Sequence, residues 1–194
     1  MKVNEYFDRV VVINLDRRTD RMDKLSAQLN ELGIVYERFP AYDAEELKID
    51  PKIAGTKSHV AAWMRYQSQR VLILEDDALF CKDFNEKFDE YMQQLPKDWD
   101  IFYLGALLPK FTGEVKNIGN PYWFEQVFST GSHAYCIKPT LMYSFAQDLE
   151  NYDWYIDIGL RLKNEDHKCY IAQPNLVTQF PSFSDLRGKE VDDF

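Results

Sequence analysis

In the segment Val71-Leu72-Ile73-Leu74-Glu75-Asp76-Asp77, four consecutive apolar residues run directly into three acids. A short, wholly apolar run predicts a strand that is buried on both faces of a sheet. In open α/β sheets, ligands bind at the carboxyl ends of such strands. The sequence therefore predicts an α/β fold in which Glu75, Asp76 and Asp77 lie at the ligand-binding edge.

These three acids are chemically suited to a divalent cation. Side chains alternate along an extended segment, so we expect Glu75 and Asp77 on one side and Asp76 on the other. Carboxylates this close repel one another, and a bound Mg²⁺ or Mn²⁺ offsets the repulsion while holding a substrate's phosphates. The alternative is a solvated turn whose acids face water. The buried strand before the acids favours the site.

Length and charge limit the classes of partner. The chain has 194 residues, of which 45% are hydrophobic, and this predicts a single domain over 1–194 with a substantial core. Its net charge of -9 argues against nucleic acid or an anionic membrane as a partner recognised by general electrostatics. An anionic substrate must therefore be met by local positive groups or by a metal.

The cysteine pattern indicates a reducing compartment. Cys81, Cys136 and Cys169 are odd in number, lack metal-ligand spacing and lie in or beside apolar segments. We therefore expect no disulfide framework and a cytoplasmic location. Segment 1–9 is charged, and no apolar run reaches about 18 residues. We therefore expect the chain to lack a secretion signal and a transmembrane segment of its own.

Regular alternation of strands and helices is predicted for the first hundred residues. Val10 to Leu15 is a buried-strand candidate, and a helix with Leu25 and Leu29 on its apolar face follows, with Gly33 as its C-cap. The next strand is predicted parallel to the first. The remaining elements predicted here are that strand (Val35 to Phe39), a helix that Ser58 caps and that buries Val60, Trp63 and Met64, the Val71 strand, a helix from Phe84 to Leu95, and a strand from Asp100 to Leu104.

The segment 105–131 lacks a regular pattern. Its glycines and prolines interleave with aromatic residues, among them Phe111, Tyr122, Trp123 and Phe124. Long irregular segments are typical of binding loops, in which exposed aromatic rings stack on sugar rings. The alternative is that these aromatics anchor the loop to the core. Strand character at Ala134 to Ile137, helical character at Thr140 to Leu149 and a short strand at Lys168 to Ala172 are predicted after it.

Six segments occur in an informative order: Val12 to Arg21, Gly55 to His59 with Trp63, Leu74 to Ala78, Ser132 to Ile137, Ile156 to Leu160, and Gln179 with Ser184 to Leu186. Together they resemble glycosyltransferase family 25, the family of lipooligosaccharide (lipopolysaccharide) biosynthesis and of collagen galactosyltransferases. No single segment is specific, whereas the ordered set covers most of the chain. The resemblance implies a GT-A type fold with a nucleotide-sugar half at about 1–104 and an acceptor half at about 105–194.

The resemblance also implies that Mn²⁺ or Mg²⁺ holds the diphosphate of a UDP-sugar at the acidic motif. Asp77 is the first candidate ligand, with Asp76 or Glu75 assisting. Arginines near the first strand would stabilise the charge that develops on the leaving diphosphate, or would simply begin a charged helix with Asp partners. The candidate nucleotide contacts are Asn14, Arg17, Arg21, Ser58, Glu75, Asp76 and His133.

Asp157 is the candidate base that deprotonates an acceptor hydroxyl, or a further metal ligand. Asp153 competes for this role, because it lies four residues earlier and would share a face with Asp157 in a helix. The direct displacement that the resemblance implies needs one carboxylate as base and inverts the anomeric configuration. The alternative is that Asp157 caps or decorates a surface helix.

The sequence therefore predicts a metal-dependent, inverting glycosyltransferase that moves galactose or glucose from a UDP-sugar to a carbohydrate or hydroxylated acceptor. A second interpretation is a catalytically silent nucleotide- or carbohydrate-binding domain of the same fold. A metal-dependent phosphotransfer domain is a third, which the absence of a Gly-rich phosphate loop disfavours.

Overall fold

The computed structural model describes residues 1–107, 115–126, 130–163, 166–185 and 188–191. The described strands are β1 (Arg9–Asn14), β2 (Glu37–Pro40), β3 (Val71–Glu75), β4 (Ala78–Phe80), β5 (Ile101–Leu107), β6 (Val115–Asn117), β7 (Trp123–Gln126), β8 (Thr130–Ile137), β9 (Cys169–Ala172), β10 (Val177–Gln179), β11 (Ser182–Ser184) and β12 (Lys189–Val191). The described helices are α1 (Val3–Tyr6), α2 (Thr19–Glu31), α3 (Ala44–Leu47), α4 (Pro51–Tyr66), α5 (Phe84–Gln93), α6 (Pro139–Leu149) and α7 (Ile156–Lys163).

Eight strands form one mixed sheet in the order β2-β1-β3-β8-β5-β9-β7-β6. β1 pairs in parallel with β2 and β3, and β5 pairs in parallel with β9. β8 runs antiparallel to β3 and β5, while β7 runs antiparallel to β9 and β6. Six of the eight sheet strands in the described residues therefore share one direction. This confirms the predicted α/β class, with a mostly parallel sheet flanked by helices.

Helices cover both faces of the sheet because its central strands are apolar on both sides. Val12 of β1 packs in one core cluster with Leu25 of α2. Its neighbour Val11 points the other way, into a second cluster with Trp63 of α4 and Phe145 of α6. Burying one such side chain contributes about 2 kcal/mol. The carboxyl ends of β1 and β3 consequently emerge at an edge between two layers of helices.

The helix before β3 begins earlier than its sequence predicts. Asp50 caps α4 by accepting a hydrogen bond from the Lys52 backbone N–H at 3.0 Å, and Pro51 occupies the first turn, where its missing N–H costs nothing. The predicted N-cap at Ser58 is therefore wrong, because Ser58 lies in the interior of α4. The predicted burial of Met64 is also wrong, since 40% of that residue is exposed.

Part of the segment 105–131 is regular. β6 and β7 form a hairpin that extends the sheet through β9, so the predicted irregular loop is wrong for these residues. Trp123 is fully buried, and its indole N–H donates to the Tyr91 carbonyl at 2.8 Å. For Trp123, anchoring to the core is thus the correct alternative. Phe111 lies outside the described residues.

The chain after β9 returns over the carboxyl edge of the sheet. β10 pairs with β4, and the Phe180 backbone N–H donates to the Asp77 carbonyl at 2.9 Å. Gly105 in β5 permits this crossing, because a Cβ atom there would lie 1.6 Å from the Val177 carbonyl oxygen. None of the described helices is both long and apolar enough to cross a membrane.

Candidate active site

The acidic triplet lies where β3 ends, between β1 and β8 in the sheet. Asp76 is buried, and both of its carboxylate oxygens have partners. Its Oδ2 accepts from Asn14 Nδ2 at 2.8 Å, and its Oδ1 accepts from Arg21 Nη1 at 2.7 Å. The end of β1 and the first turns of α2 therefore supply the groups that hold Asp76.

The Asp77 carboxylate lies near the Arg21 guanidinium, the same group that donates to Asp76. Its Oδ2 lies 3.5 Å from Arg21 Nη1, and its Oδ1 accepts from Gln179 Nε2 at 3.1 Å. The predicted alternation, with Asp76 opposite to Glu75 and Asp77, is thus wrong. The physical reason is that β3 ends at Glu75 and the chain turns, so the pleat does not continue through the acids.

Glu75 lies on the other side of the triplet, in a chain of buried polar groups. Ser132 Oγ donates to its carboxylate, and His59 Nε2 lies 3.5 Å from Glu75 Oε1. His59 Nδ1 lies 2.8 Å from the Tyr135 hydroxyl oxygen, which also accepts from Trp63 Nε1 at 2.9 Å. Because the indole N–H only donates, we assign the Tyr135 proton to His59 Nδ1, which leaves the imidazole proton on Nε2, facing Glu75.

The environments of the three acids push their pKa values apart. Burial acts to raise the pKa of Glu75, but the hydrogen bonds from His59 and Ser132 outweigh it and lower that pKa to about 2. Burial, followed by the negative charge of Glu75, raises the pKa of Asp77 to about 7. Burial also raises the pKa of Asp76, against the opposing effect of Arg21. Neighbouring carboxyls with separated pKa values are typical of functional sites.

Asn14 lies at the centre of the site's hydrogen bonds. Besides Asp76, its Nδ2 donates to the Arg18 carbonyl at 3.0 Å, and its Oδ1 accepts from Arg38 Nε at 2.7 Å. Beside it is a pocket of about 340 Å³ that Asn14, Asp16, Thr19, Met22, Asp23 and Arg38 line. The predicted Asn14 thus joins the acidic triplet to a cavity of ligand size.

Arg17 and Arg18 lie at the start of α2 and are paired with carboxylates. Arg17 Nε donates to Asp43 at 2.8 Å, while Arg18 Nε and Nη2 each donate to Asp20 at 2.9 Å. Both guanidinium groups also donate to Asp185. Of the predicted arginines, Arg21 reaches the acids directly, whereas Arg17 lies at the rim and is 41% exposed.

His133 and Ser58 are buried behind this edge. His133 Nε2 lies 3.1 Å from the Val177 carbonyl oxygen, and burial lowers the pKa of His133. Ser58 Oγ donates to the Ala54 carbonyl at 2.7 Å and accepts from the Tyr42 N–H at 2.9 Å. Both hydrogen bonds of Ser58 serve the backbone, so the structure does not bring its hydroxyl to the carboxylates.

Asp157 and Asp153 are not on one helical face. Asp157 lies in the first turn of α7, whereas Asp153 is exposed and precedes that helix. The prediction that they share a face is therefore wrong. Asp157 lies near Tyr103 of β5, whose pKa is raised mainly by burial and in part by the Asp157 charge.

Sequence analysis missed three partners of the site, namely Arg38, Ser132 as a hydrogen-bond donor to Glu75, and Gln179 as a donor to Asp77. Gln179 and Ser132 stand in segments that resemble the family, and this was the available signal. Arg38 gave none, because its contact follows from the register of β1 with β2, in which Val12 lies opposite Arg38.

A divalent cation at this edge would need further ligands from a bound substrate. Among the described residues, no group of three or more His, Cys, Asp or Glu side chains is arranged to hold a metal ion. Mg²⁺ and similar ions, however, are usually held by one or two carboxylates together with substrate phosphates. Asp77 is suited to this, because its buried carboxyl is incompletely compensated, whereas Asp76 would have to exchange a contact with Asn14 or Arg21.

Taken together, the fold and the site define an α/β protein with a buried carboxylate and arginine site at the carboxyl edge of its sheet. No protein-family model matches the chain. It is 32% identical over 144 residues to a glycosyltransferase 25 family member of Drosophila melanogaster, a match that covers 58% of this chain and 24% of that protein. Procollagen galactosyltransferase 2 of Mus musculus is 27% identical over 129 residues, which cover 51% of this chain and 21% of that protein.

These relatives confirm the predicted similarity to glycosyltransferase family 25. The chain spans less than a quarter of the length of the galactosyltransferase and about a quarter of that of the Drosophila protein. A solved structure of UDP-glucose pyrophosphorylase complexed with UDP-glucose overlaps with a TM-score of 0.48 and 8% identity, covering 84% of this chain and 72% of that chain. This partial overlap carries no conclusion about function.

Proposed function

We propose that this chain is a glycosyltransferase domain that moves a hexose, galactose or glucose, from a UDP-sugar to a carbohydrate or hydroxylated acceptor. One observation carries the proposal: Asn14 and Arg21 hold the Asp76 carboxylate, with Asp77 3.5 Å from the same arginine, beside a pocket of about 340 Å³. Its relatives are named glycosyltransferases, and one is named a procollagen galactosyltransferase. Lipopolysaccharide biosynthesis and a cytoplasmic location stay predictions.

The proposed reaction is a direct displacement with inversion. The acceptor hydroxyl oxygen bonds to the anomeric carbon of the donor while the bond from that carbon to the UDP phosphate oxygen breaks, and UDP leaves as an anion. Asp157 accepts the hydroxyl proton, with Asp153 as its competitor. Arg17 and Arg21 bind the diphosphate, and Asn14 orients the loop that carries Arg18.

Mn²⁺ or Mg²⁺, when bound, neutralises charge on the diphosphate. Asp77 is the first proposed ligand and Asp76 the second. In the proposal, Glu75 acts by its charge, which His59 and Ser132 stabilise. His133 and Ser58 stay proposed contacts that would require a rearrangement, because both are buried and hydrogen bonded to backbone groups.

A second candidate is a catalytically silent nucleotide-binding domain of the same fold. It is favoured by the Arg21 contact with Asp76, because a guanidinium there supplies the positive charge that a metal would supply in an enzyme. Both candidates would bind the nucleotide, but only the glycosyltransferase would release it from a nucleotide sugar.

The test is nucleotide release from a panel of UDP-, GDP- and CMP-sugars, with and without Mn²⁺ and with simple glycosides as acceptors. We expect metal-dependent release from one UDP-sugar, and a decrease of about a hundredfold in Asp77→Asn. Glu150→Gln, which removes an exposed carboxylate beyond α6, is the matched control and should retain full activity. Nucleotide binding without release for any sugar would favour the silent domain, and the absence of any binding would exclude both.

A further inference from the structure

The segment from Val177 to Asp185 forms a strap across the acidic edge. β10 pairs with β4 just after the triplet, and Gln179 and Phe180 bond to the Asp77 side chain and carbonyl. Lys24 of α2 lies over the Phe180 ring, 5.3 Å from its centroid. The strap thus runs from β4, past Asp77, to the N-terminal turns of α2.

At the end of this strap, Asp185 bridges two arginines. Its Oδ1 accepts from Arg17 Nη1 and its Oδ2 from Arg18 Nη1, so each oxygen has its own guanidinium donor. Two guanidinium groups that converge on adjacent anionic oxygens are the arrangement by which proteins bind phosphate groups. The Asp185 carboxylate stands in this arrangement for two oxygens of a phosphate.

The charges around this contact favour exchange of the carboxylate. Arg17 and Arg18 face Asp43, Asp20 and Asp185, which is three negative charges against two positive ones. Without Asp185, each arginine would keep one carboxylate partner among these contacts. The two Nη1 atoms would then both be directed at the position that the Asp185 carboxylate had left. Asp185 is therefore the carboxylate whose departure leaves these charges balanced and frees the shared anion position.

Arg18 is also linked through its backbone to the acidic triplet. The Arg18 carbonyl accepts from Asn14 Nδ2, and the same Nδ2 donates to Asp76. The backbone that carries the Arg18 guanidinium is thus hydrogen bonded to the same amide that holds Asp76.

We propose that Arg17 and Arg18 together form a binding site for a phosphate group of the donor's diphosphate, and that Asp185 fills this site until the nucleotide displaces it. The inference rests on the proposed function and deepens it, because it assigns Arg18 to the donor site and makes the strap an internal competitor. Nucleotide binding then releases the end of the strap from α2.

The test is calorimetric titration of the full chain with three probes: UDP, inorganic pyrophosphate and uridine. Because removal of the competing carboxylate removes two partly exposed ion pairs, we expect Asp185→Asn to bind UDP and pyrophosphate about tenfold more tightly. Uridine, which lacks phosphate, should bind equally to both proteins. Glu150→Gln makes the same change at a distant surface position and should leave all three affinities unchanged, whereas Arg18→Gln should weaken UDP and pyrophosphate.

The outcomes separate this inference from the proposed function. Tighter pyrophosphate binding in Asp185→Asn, with no UDP binding by either protein, would support the anion site and refute the proposed donor. UDP binding that is unchanged or weaker in Asp185→Asn would overturn the inference and leave the proposed donor intact. Absence of pyrophosphate binding to both proteins would also overturn the inference.

Hydrogen exchange of the unmodified protein gives a second measurement that needs no variant. Saturation with UDP should increase amide exchange around Asp185 and in the β11 and β12 hairpin, because the arginines no longer hold this segment. Slower exchange there with UDP bound would mean that the strap closes on the nucleotide, and would contradict displacement.

Discussion

At the scale of a residue, Asp77 is a buried carboxyl that the folded protein leaves incompletely compensated. Its pKa is raised to about 7, first by burial and then by the Glu75 charge. An unfolded aspartate has a pKa of about 3.9, so between about pH 4 and pH 7 the folded state holds a proton that the unfolded state has lost. The Asp77 contribution therefore lowers stability as the pH rises through this range.

Asp77→Asn should remove this loss. We expect the free energy of unfolding of the variant to exceed that of the parent by an amount that grows from pH 5 to pH 8. At pH 8 this difference should be on the order of a few kcal/mol. Glu75 does not interfere, because its lowered pKa of about 2 keeps it ionised over this range. His133, whose pKa burial lowers, contributes with the opposite sign in both proteins and cancels in the difference.

The measurement is urea unfolding of both proteins at several pH values. Asp153→Asn, at an exposed position, is the matched control. Its free energy of unfolding should change with pH in the same way as that of the parent. Parallel curves for Asp77→Asn as well would show that the Asp77 carboxyl is not desolvated. Mn²⁺ should stabilise the parent more at pH 8 than at pH 6, since metal and proton compete for the same carboxylate.

At the scale of elements, the site depends on β10 crossing β5 in close contact. A Cβ atom at Gly105 would lie 1.6 Å from the Val177 carbonyl oxygen and 2.9 Å from His133 Nε2. Because a backbone atom cannot rotate away, Gly105→Ala should cost about 3 kcal/mol or more of stability and displace the strap that carries Gln179. Gly33→Ala is the control. An added Cβ atom there would have no neighbour within 4 Å, and the left-handed backbone, with φ of 67°, would be the only source of strain for the alanine.

Chemical denaturation of the two glycine variants, with UDP binding as a second measurement, checks this. Gly33→Ala should lose about 1–2 kcal/mol and keep its affinity for UDP. Equal losses in the two variants would mean that β10 does not approach β5 as closely as the crossing requires.

The elements that the sequence predicted well are those with local signals. Apolar runs identified β1, β3 and β5, and the spacing of Leu25 and Leu29 identified α2. The start of α4 was not predicted although Asp50 and Pro51 provide a capping signal, because the N-cap was placed at Ser58. The β6 and β7 hairpin was missed because its short strands have no clear alternation.

For the site, local signals identified the groups and not their partners. Asn14 and the three acids follow buried strands, and this alone placed them at one edge. Their orientation was not predictable, because it depends on where β3 ends. Arg38 and Asp185 reach the site through sheet register and through the returning strap, and contacts so distant in sequence leave no periodic pattern.

At the scale of the whole molecule, the two predicted halves share one sheet. β8, from the second half, lies between β3 and β5 of the first half, so neither set of strands is continuous without the other. Buried β8 residues such as Tyr135 and Ala134 belong to the core clusters on either face. The division at about residue 104 should therefore be a functional boundary and not a folding boundary.

We expect the full chain to unfold in one cooperative transition, with tryptophan fluorescence and far-UV circular dichroism giving coincident curves. Trp63 belongs to the first half and Trp123 to the second, and they lie in separate core clusters on opposite faces of the sheet. A fragment 1–104 would expose the edge of β3 that β8 covers, and should be unfolded or aggregated. Two separate transitions, or a folded fragment, would instead establish the halves as independent domains. In the cooperative case, saturating UDP should raise the single midpoint of the intact chain, because a ligand that binds only the folded state stabilises all of it.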